Sequence, residues 1–502
     1  MRSVLLSGVA LTMLMGGASF AGSCDAVAIG GESQIIRCTG GEAGPQVVSG
    51  SNTSFTVGDD ASLTSNNRST PAAAITGDNV RFYNLNTVSN TDTRNNANAI
   101  DVTGGGVYVE NRGTISSGDR AIHITGEGAD AFSIVNDGVI TSRRQAIRTL
   151  NELAIPYLSV VNNGTISSSD GRAIQGRGFG TWVQNNGQLF GWEEVIEARD
   201  GFALDNRGVI EAGRPIYDAE GTITGFERKA DEDGVQFASG SVVNYGRIVG
   251  TDDGIDMDEG TVENRAGGVI ISLGPDNDPD KAAIDIDGAF DNSRDPLRSA
   301  TTVSIVNEGY MEGPRGITVE YDPTRADDDV NNARQRVTIV NSGEIVGRGG
   351  TAIWLAPTQG DSSLTVTGNS IIRGDVVMGG GDDTLTFAHL SHTGDWRIDN
   401  LFDGGAGYNI VDIDYDFAEI TNATQMTPSV LRLAFMNTNA GLEMNARFTN
   451  WDMFFFSSGH RFTPSELLAQ FAQIAPVPLP AGAVLLVSAL GGMAALRRRK
   501  AA

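Results

Sequence analysis

Val109-Glu110-Asn111-Arg112-Gly113-Thr114-Ile115 is the stretch on which the fold turns. Its form, apolar-x-Asn-x-Gly-x-apolar, returns around Asn136, Asn162, Asn185, Asn206, Asn244 and Asn307, and again as Ile339-Val340-Asn341-Ser342-Gly343-Glu344-Ile345. Asn264 carries a variant with one extra residue before its Gly. Successive Asn positions from 111 to 206 lie 25, 26, 23 and 21 residues apart, and later gaps are longer, which reads as insertion. About ten residues after each Asn comes a small residue followed by Ile. The instances are Ala121-Ile122, Ala146-Ile147, Ala173-Ile174, Val195-Ile196, Pro215-Ile216, Gly254-Ile255, Gly316-Ile317 and Ala352-Ile353, with Ala283-Ile284 after a long insertion. Two short strands per repeat, held in phase at such a period, are the signature of a repeat architecture.

Strand alternation puts Val109 and Asn111 on one side and Glu110 on the other. In the second strand Ile122 and Ile124 face inward, with Ala121 and His123 outward. One such unit cannot bury its apolar residues, whereas coils stacked about 4.8 Å apart bury a continuous column of Val and Ile. Each Asn then sits over the next, and their amides can bond along the axis as in stacked cross-β amides. The Gly is expected to supply a positive φ at a tight corner. Asn111, Asn136, Asn162, Asn185, Asn206, Asn244, Asn264, Asn307 and Asn341 are therefore assigned to architecture. The expected fold is all-β, a single-chain parallel β-helix (β-solenoid) of about 11–14 coils. Its Thr/Ser/Asn-rich coils resemble the β-helical passenger regions of autotransporters and related adhesins, which implies a right-handed helix. No C-terminal stretch resembles the autotransporter membrane barrel.

The 502 residues include 64 Gly and carry a formal charge of −26. A surface this acidic repels nucleic acid and anionic membrane faces. It suits divalent cations, cationic partners or simple solubility.

Both ends point to export. Arg2, the apolar run Val4 to Met15 and the small-x-small site Ser19-Phe20-Ala21 form a secretory signal, so residues 1–21 are removed after passage through the Sec machinery. A lipoprotein reading would use Ala21-Gly22-Ser23-Cys24, with Ala21 where such motifs prefer Leu. Cys24 and Cys38, the two cysteines, are expected to form a disulfide after export. The C-terminus runs Val477-Pro478-Leu479-Pro480-Ala481, an apolar stretch Gly482 to Leu496, then Arg497-Arg498-Arg499-Lys500. That order of parts resembles the PEP-type C-terminal sorting signals in their VPLPA variant; a plain tail anchor is the simpler alternative. The resemblance implies transient anchoring in the inner membrane and removal of the tail by an exosortase-type transpeptidase. It also implies a Gram-negative host with an extracellular polysaccharide matrix. The expected organisation is a signal peptide (1–21), a disulfide-held cap (22–46) and solenoid repeats (47–420). A C-terminal cap (421–462), a linker (463–476) and the sorting tail (477–502) follow.

The outward residue after each second-strand Ile forms a row: Asp101, His123, Arg148, Gln175, Glu197, Tyr217, Gln236, Asp256, Asp285, Thr318 and Trp354. Most of it is mixed, as a solvated face should be. The exceptions are Ile255-Asp256-Met257-Asp258 and Ile284-Asp285-Ile286-Asp287, in coils that read as consecutive. Stacked Asp256 on Asp285 and Asp258 on Asp287 would repel, by roughly 1 kcal/mol per pair at 5 Å in water. A hard cation such as calcium would remove that cost, with Asp252, Asp253, Glu259 and Glu320 as further carboxylates. Insertions at about 218–232, 271–281, 288–302 and 321–336 fall in the same half.

The same carboxylates raise a catalytic alternative. Thr251-Asp252-Asp253-Gly254-Ile255-Asp256 loosely resembles the acidic strand motif of polygalacturonase-like hydrolases, where paired Asp residues serve as acid and base. That family's Gly-His-Gly and Arg-x-Lys signatures are absent. Residues 253–259 also faintly resemble the mannuronan epimerase strand, with Asp258 where that motif has His. Gly379-Gly380-Gly381-Asp382-Asp383-Thr384-Leu385 and Gly404-Gly405-Ala406-Gly407-Tyr408-Asn409-Ile410 each resemble one hemolysin-type calcium nonapeptide. They are separated rather than tandem, so Asp383 and Asn409 read first as corner residues and second as calcium ligands. The expected function is a structural or adhesion protein of the cell surface or matrix, contacting extracellular polysaccharide or other surface proteins. A lyase, hydrolase or epimerase acting on acidic polysaccharide is the alternative.

Overall fold

The computed structural model describes residues 22–30, 33–126, 131–150, 157–287, 302–320, 335–367, 369–388, 400–437 and 442–472. The secretory signal, the tail including Val477 to Ala481, and most of the insertions at 288–302 and 321–336 lie outside them. The chain divides into two units, Met1–Phe237 and Ala238–Ala502. Each is a stack of parallel β-coils.

In the first unit the coil with the quoted stretch has three strands: Tyr108–Asn111, Thr114–Ser117 and Ile122–Ile124. Each pairs in parallel with its counterparts one coil away on either side. Val109 lies opposite Phe82 and Ile134, Ile115 opposite Val88 and Ile140, and Ile122 opposite Ile100 and Ile147. Two strands per repeat were expected. The third arises because Asn-x-Gly is a corner, so the quoted heptad spans two faces.

The Asn-bearing face stacks Ser33–Thr39, Ser54–Val57, Arg81–Asn84, Tyr108–Asn111, Phe132–Asn136, Leu158–Asn162, Thr181–Asn185 and Phe202–Asn206. In the second unit it runs from the strand ending at Asn244 through those ending at Asn264, Asn307, Asn341, Val366, Phe387, Ile413 and Phe456. That is eight rungs in each unit, sixteen among the described residues, against about 11–14 expected. The excess lies in end coils that lack the Asn motif but keep its register.

Val109, Ile115, Ile122 and Ile124 are buried, each contributing about 1.5–3 kcal/mol relative to exposure. Ala121, expected outward, is also buried, as are Ala146, Ala173 and Ala352. The chain bends there, so two consecutive residues face inward and the first must be small.

The Asn side chains are fully buried and bond along the axis. Nδ2 of Asn84 donates to Oδ1 of Asn111 at 2.7 Å, and Asn111 to Asn136, Asn136 to Asn162, Asn162 to Asn185 and Asn185 to Asn206, each at 2.8 Å. In the second unit Asn244 donates to Asn264 (2.9 Å), Asn264 to Asn307 and Asn307 to Asn341 (2.8 Å each). Each Nδ2 also reaches main-chain carbonyls, as Asn111 reaches Gly113 and Val139 at 3.1 Å.

The motif glycines have a different role from the one expected. Gly113, Gly138, Gly164, Gly187 and Gly208 do not adopt positive φ. Instead they stack so tightly that a Cβ on Gly138 would lie inside 3.0 Å of the Gly113 carbonyl oxygen, and one on Gly164 would meet Gly138 likewise. Glycine is required there by close backbone approach, not by handedness. In the variant at Asn264, Gly267 (φ 86°) absorbs the extra residue and Gly268 takes the place in the column.

Pro215-Ile216 is not a coil strand. Arg214–Tyr217 and Ile223–Glu227 form an antiparallel hairpin of their own, and Ile196 pairs instead with Val235. Tyr217 therefore drops out of the row.

At the N-terminus Ser23–Gly30 runs antiparallel to Ser33–Thr39, with Cys24 opposite Cys38 and bonded to it. In chain-entropy terms a loop of 14 residues is worth about 3 kcal/mol. Ser33–Thr39 is already a rung of the stack, which thus begins before residue 47. It also continues past residue 420. Ile420–Thr427, Val430–Asn437 and Leu442–Thr449 form antiparallel hairpins, and the last returns to stack on Leu401–Asp403. A helix, Pro464–Ala472, follows with Leu467 buried. Phe417 gathers Phe456, Phe462 and Phe471 around it at 4.9–5.8 Å. Among the described residues no helix is long and apolar enough to cross a membrane.

Candidate functional site

The third face of each coil carries the outward row. In the first unit Asp101, His123, Arg148, Gln175, Glu197 and Gln236 follow one another in register. In the second unit Asp256 pairs with Asp285, Asp285 with Thr318, and Thr318 with Trp354. This part of the face is buried: Asp256 is 9% exposed, Asp285 3% and Thr318 0%.

Beyond Met257 and Ile286 the register continues. Asp287 N donates to Met257 O at 3.0 Å and Glu320 N to Ile286 O at 3.1 Å. Asp258, Asp287 and Glu320 thus occupy one position on three successive coils, all half-buried. Oxygens of Asp285, Asp287 and Glu320 lie within 4.8 Å of one another. Asp285 Oδ1 accepts the Ile286 amide at 2.8 Å. Burial, then the neighbouring Asp287, Asp256 and Glu320, push the Asp285 carboxyl well above the usual range. On the next coil Arg315 donates to Thr318 Oγ1 at 2.9 Å and lies over the Trp354 ring at 4.5 Å. Its guanidinium is held below its ordinary pKa by burial, against the attraction of Asp280 and Asp285.

The other carboxylates named from the sequence divide. Glu320 joins the cluster. Asp252 pairs with Lys281 at 2.7 Å, and Asp253 Oδ1 accepts the Ala282 amide at 2.6 Å, so both hold the corner that opens the next coil. Glu259 lies half-buried one residue past Asp258.

Sequence reasoning missed Gln335. It is fully buried, its Nε2 donates to Asp258 O at 3.3 Å, and its Oε1 has no partner. With 77 residues between them and a long insertion in the interval, no local pattern links the two.

Asp383 and Asn409 belong to a corner. Ser362 N donates to Asp383 Oδ1 (2.7 Å), Asp383 N to Asn409 Oδ1 (3.0 Å) and Asn409 N to Asp452 Oδ2 (2.8 Å), one coil after another. Asp382 Oδ1 likewise accepts Tyr408 N at 2.8 Å. These oxygens serve the main chain. Asp383 is fully buried, its Oδ2 is unpartnered, and burial raises its carboxyl to about 7. Of the four His, His123 lies 3.3 Å from Asp101 and His460 2.9 Å from Ser458 Oγ; His389 and His392 are outside the described residues.

No protein family, no curated protein and no solved structure matches this chain.

Proposed function

We propose that this chain is an exported structural or adhesion protein of a Gram-negative cell surface or extracellular matrix, acting through a stiff, strongly acidic β-solenoid body. The observation that carries the reading is the buried amide column. It commits one side chain per coil, from Asn84 to Asn206 and from Asn244 to Asn341, to holding coils in register. The Cys24–Cys38 disulfide supports an oxidising destination. The VPLPA-like tail supports processing by an exosortase-like enzyme after Sec export, with brief residence in the inner membrane. Partners on this reading are extracellular polysaccharide or other surface proteins. A chain with a formal net charge of −26 would meet acidic polymers through cations and basic partners directly.

The second reading is an enzyme acting on acidic polysaccharide through Asp256, Asp258, Asp285 and Asp287. The raised Asp285 carboxyl favours it, since a general acid must hold its proton. One observation weighs against it: Asp285 is 3% exposed, out of reach of a polymer.

Fractionation and protease shaving of intact host cells test the proposal. The protein is expected at the surface or in the medium, and replacing Val477 to Ala481 is expected to retain it in the inner membrane. A cytoplasmic location would overturn the reading, and shortened or epimerised alginate or polygalacturonate after incubation with the purified protein would favour the enzyme.

A further inference from the structure

We infer that Arg148 anchors an oxyanion-binding site on the third face of the first unit, and that the site takes a carboxylate of an acidic saccharide. The choice of a saccharide as the carrier rests on the surface-or-matrix reading; the oxyanion chemistry does not.

Register places Arg148 between His123 on the coil before and Gln175 on the coil after. Neither adjacent rung of the row offers a carboxylate. The acids stand one rung further out, Asp101 beyond His123 and Glu197 beyond Gln175. Both are engaged. Asp101 Oδ1 accepts from Asn98 at 2.7 Å, and Glu197 meets Gln175 Nε2 at 2.5 Å and Arg172 at 2.6 Å. Among the described residues the Arg148 guanidinium makes no hydrogen bond or ion pair, and its Nε is buried without a partner. Neighbouring arginines are treated differently. Arg120 meets Asp119 at 2.9 Å, and Arg172, one coil on, meets Glu193, Glu194 and Glu197 at 2.6–2.8 Å. Within the row, three consecutive members carry buried polar atoms that lack partners: His123 Nε2, Arg148 Nε and Gln175 Oε1.

The electrostatics agree. Burial, then the positive charges of Arg120, Arg177 and Arg144, press the Arg148 guanidinium down to about 10, against the attraction of Glu197. A cation is thus partly stripped of water and left without a counter-charge. Arg144 and Arg177 open the site to solvent, with side chains 37% and 33% exposed and their own acids standing off at 3.8 and 4.0 Å. A chain with 62 acidic residues against 36 basic ones places none of its carboxylates on this guanidinium. An external one fits, because the planar fork pairs a carboxylate through two parallel bonds. A ligand meeting the whole stretch brings an acceptor for Arg148 and a hydroxyl donor for the Gln175 carbonyl. A uronate carries both groups, whereas fully ionised sulfate carries acceptors alone.

Calorimetric titration of the mature chain with trigalacturonate tests this, in buffer containing EDTA so that divalent cations cannot bridge. One saturable site is expected. Arg148→Gln should weaken it at least about tenfold, and Arg148→Lys by a similar factor, since lysine returns the charge without the fork. Arg112→Gln removes an equal charge from a surface pair with Glu110 and should leave affinity unchanged. Far-ultraviolet circular dichroism should be the same for every variant, and the uncharged galactose trimer should not bind. No saturable binding, native affinity in Arg148→Gln, or equal affinity for the neutral trimer would overturn the site. Sulfate bound as tightly as trigalacturonate would overturn its assignment to a saccharide. A chain found in the cytoplasm that still binds trigalacturonate would sink the surface reading and leave this site standing; a surface protein that does not bind would do the reverse.

Discussion

Asn162→Ala should cost far more than Asn163→Ala, although the two residues are adjacent and both sit in chains of stacked amides. Asn162 donates to Asn185 Oδ1 (2.8 Å), Gly164 O (3.2 Å) and Gln188 O (3.1 Å), and accepts from Asn136 Nδ2 (2.8 Å), all from full burial. Truncation removes all four contacts. Asn136 keeps carbonyls at Gly138 and Thr165, so its loss is partial. Oδ1 of Asn185 loses its ladder donor, and the carbonyls lose one donor each. Two buried groups left short, at about 1–3 kcal/mol apiece, plus a small cavity, give a loss of about 3–5 kcal/mol.

Asn163 makes the same chemistry in water: it donates to Asp137 at 2.7 Å and accepts from Asn186 at 2.8 Å, and all three are exposed or nearly so. Its removal should cost less than about 0.5 kcal/mol. Urea unfolding of the mature chain gives the comparison. Hydrogen exchange of peptides spanning residues 130–190 localises it, because stacked repeats respond through their neighbours. Equal losses at the two positions would refute the claim that the buried column, rather than stacking as such, holds the coils in register.

Gly138→Ala should lower stability by at least about 1–3 kcal/mol, because its Cβ would meet the backbone of Arg112 and Gly113, which cannot yield. Gly225→Ala, where a Cβ meets nothing within 4 Å, should leave the melting temperature unchanged. Asp383 binds its proton more tightly folded (about 7) than unfolded (3.8), so its contribution is fully present below pH 4 and is lost as pH rises to about 7. Asp383→Asn should therefore match the native chain near pH 4 and exceed it by on the order of 2–4 kcal/mol at pH 8, as measured by denaturant midpoints. A stability gain independent of pH would contradict a buried neutral carboxyl.

Much of the fold was legible because the period-two alternation and the Asn spacing are local. Val109, Asn111, Ile115 and Ile122 announce their places directly. Three things were not legible. The corner at Arg112-Gly113 splits one apparent strand into two, since a heptad does not show where the chain turns. The end coils, such as Ser54–Val57 and Ser363–Val366, have no Asn and are recognised by register alone. The hairpin at Arg214–Tyr217 imitates the small-Ile signal without stacking. At the candidate site the Asp256–Asp285 pairing was legible from strand phase. The burial of that face and the approach of Gln335 were not; Gln335 reaches Asp258 from 77 residues away, across a long insertion.

In-register stacking multiplies whatever a single side chain does, and this separates the two polar columns physically. An amide both donates and accepts, so a column of Asn satisfies itself from coil to coil. A carboxylate only accepts, so a column of Asp repels itself and grows costlier with burial. The first unit avoids the problem on its third face by alternation. Asp101 lies opposite His123 and accepts from Asn98 at 2.7 Å, and Glu197 accepts from Gln175 on the neighbouring coil at 2.5 Å, so each acid has a donor. The second unit does not alternate. Asp256 is followed by Asp285, and Asp258 by Asp287 and Glu320, before Thr318 and Trp354 end the row. The cost is therefore confined to a few coils instead of being spread along the stack.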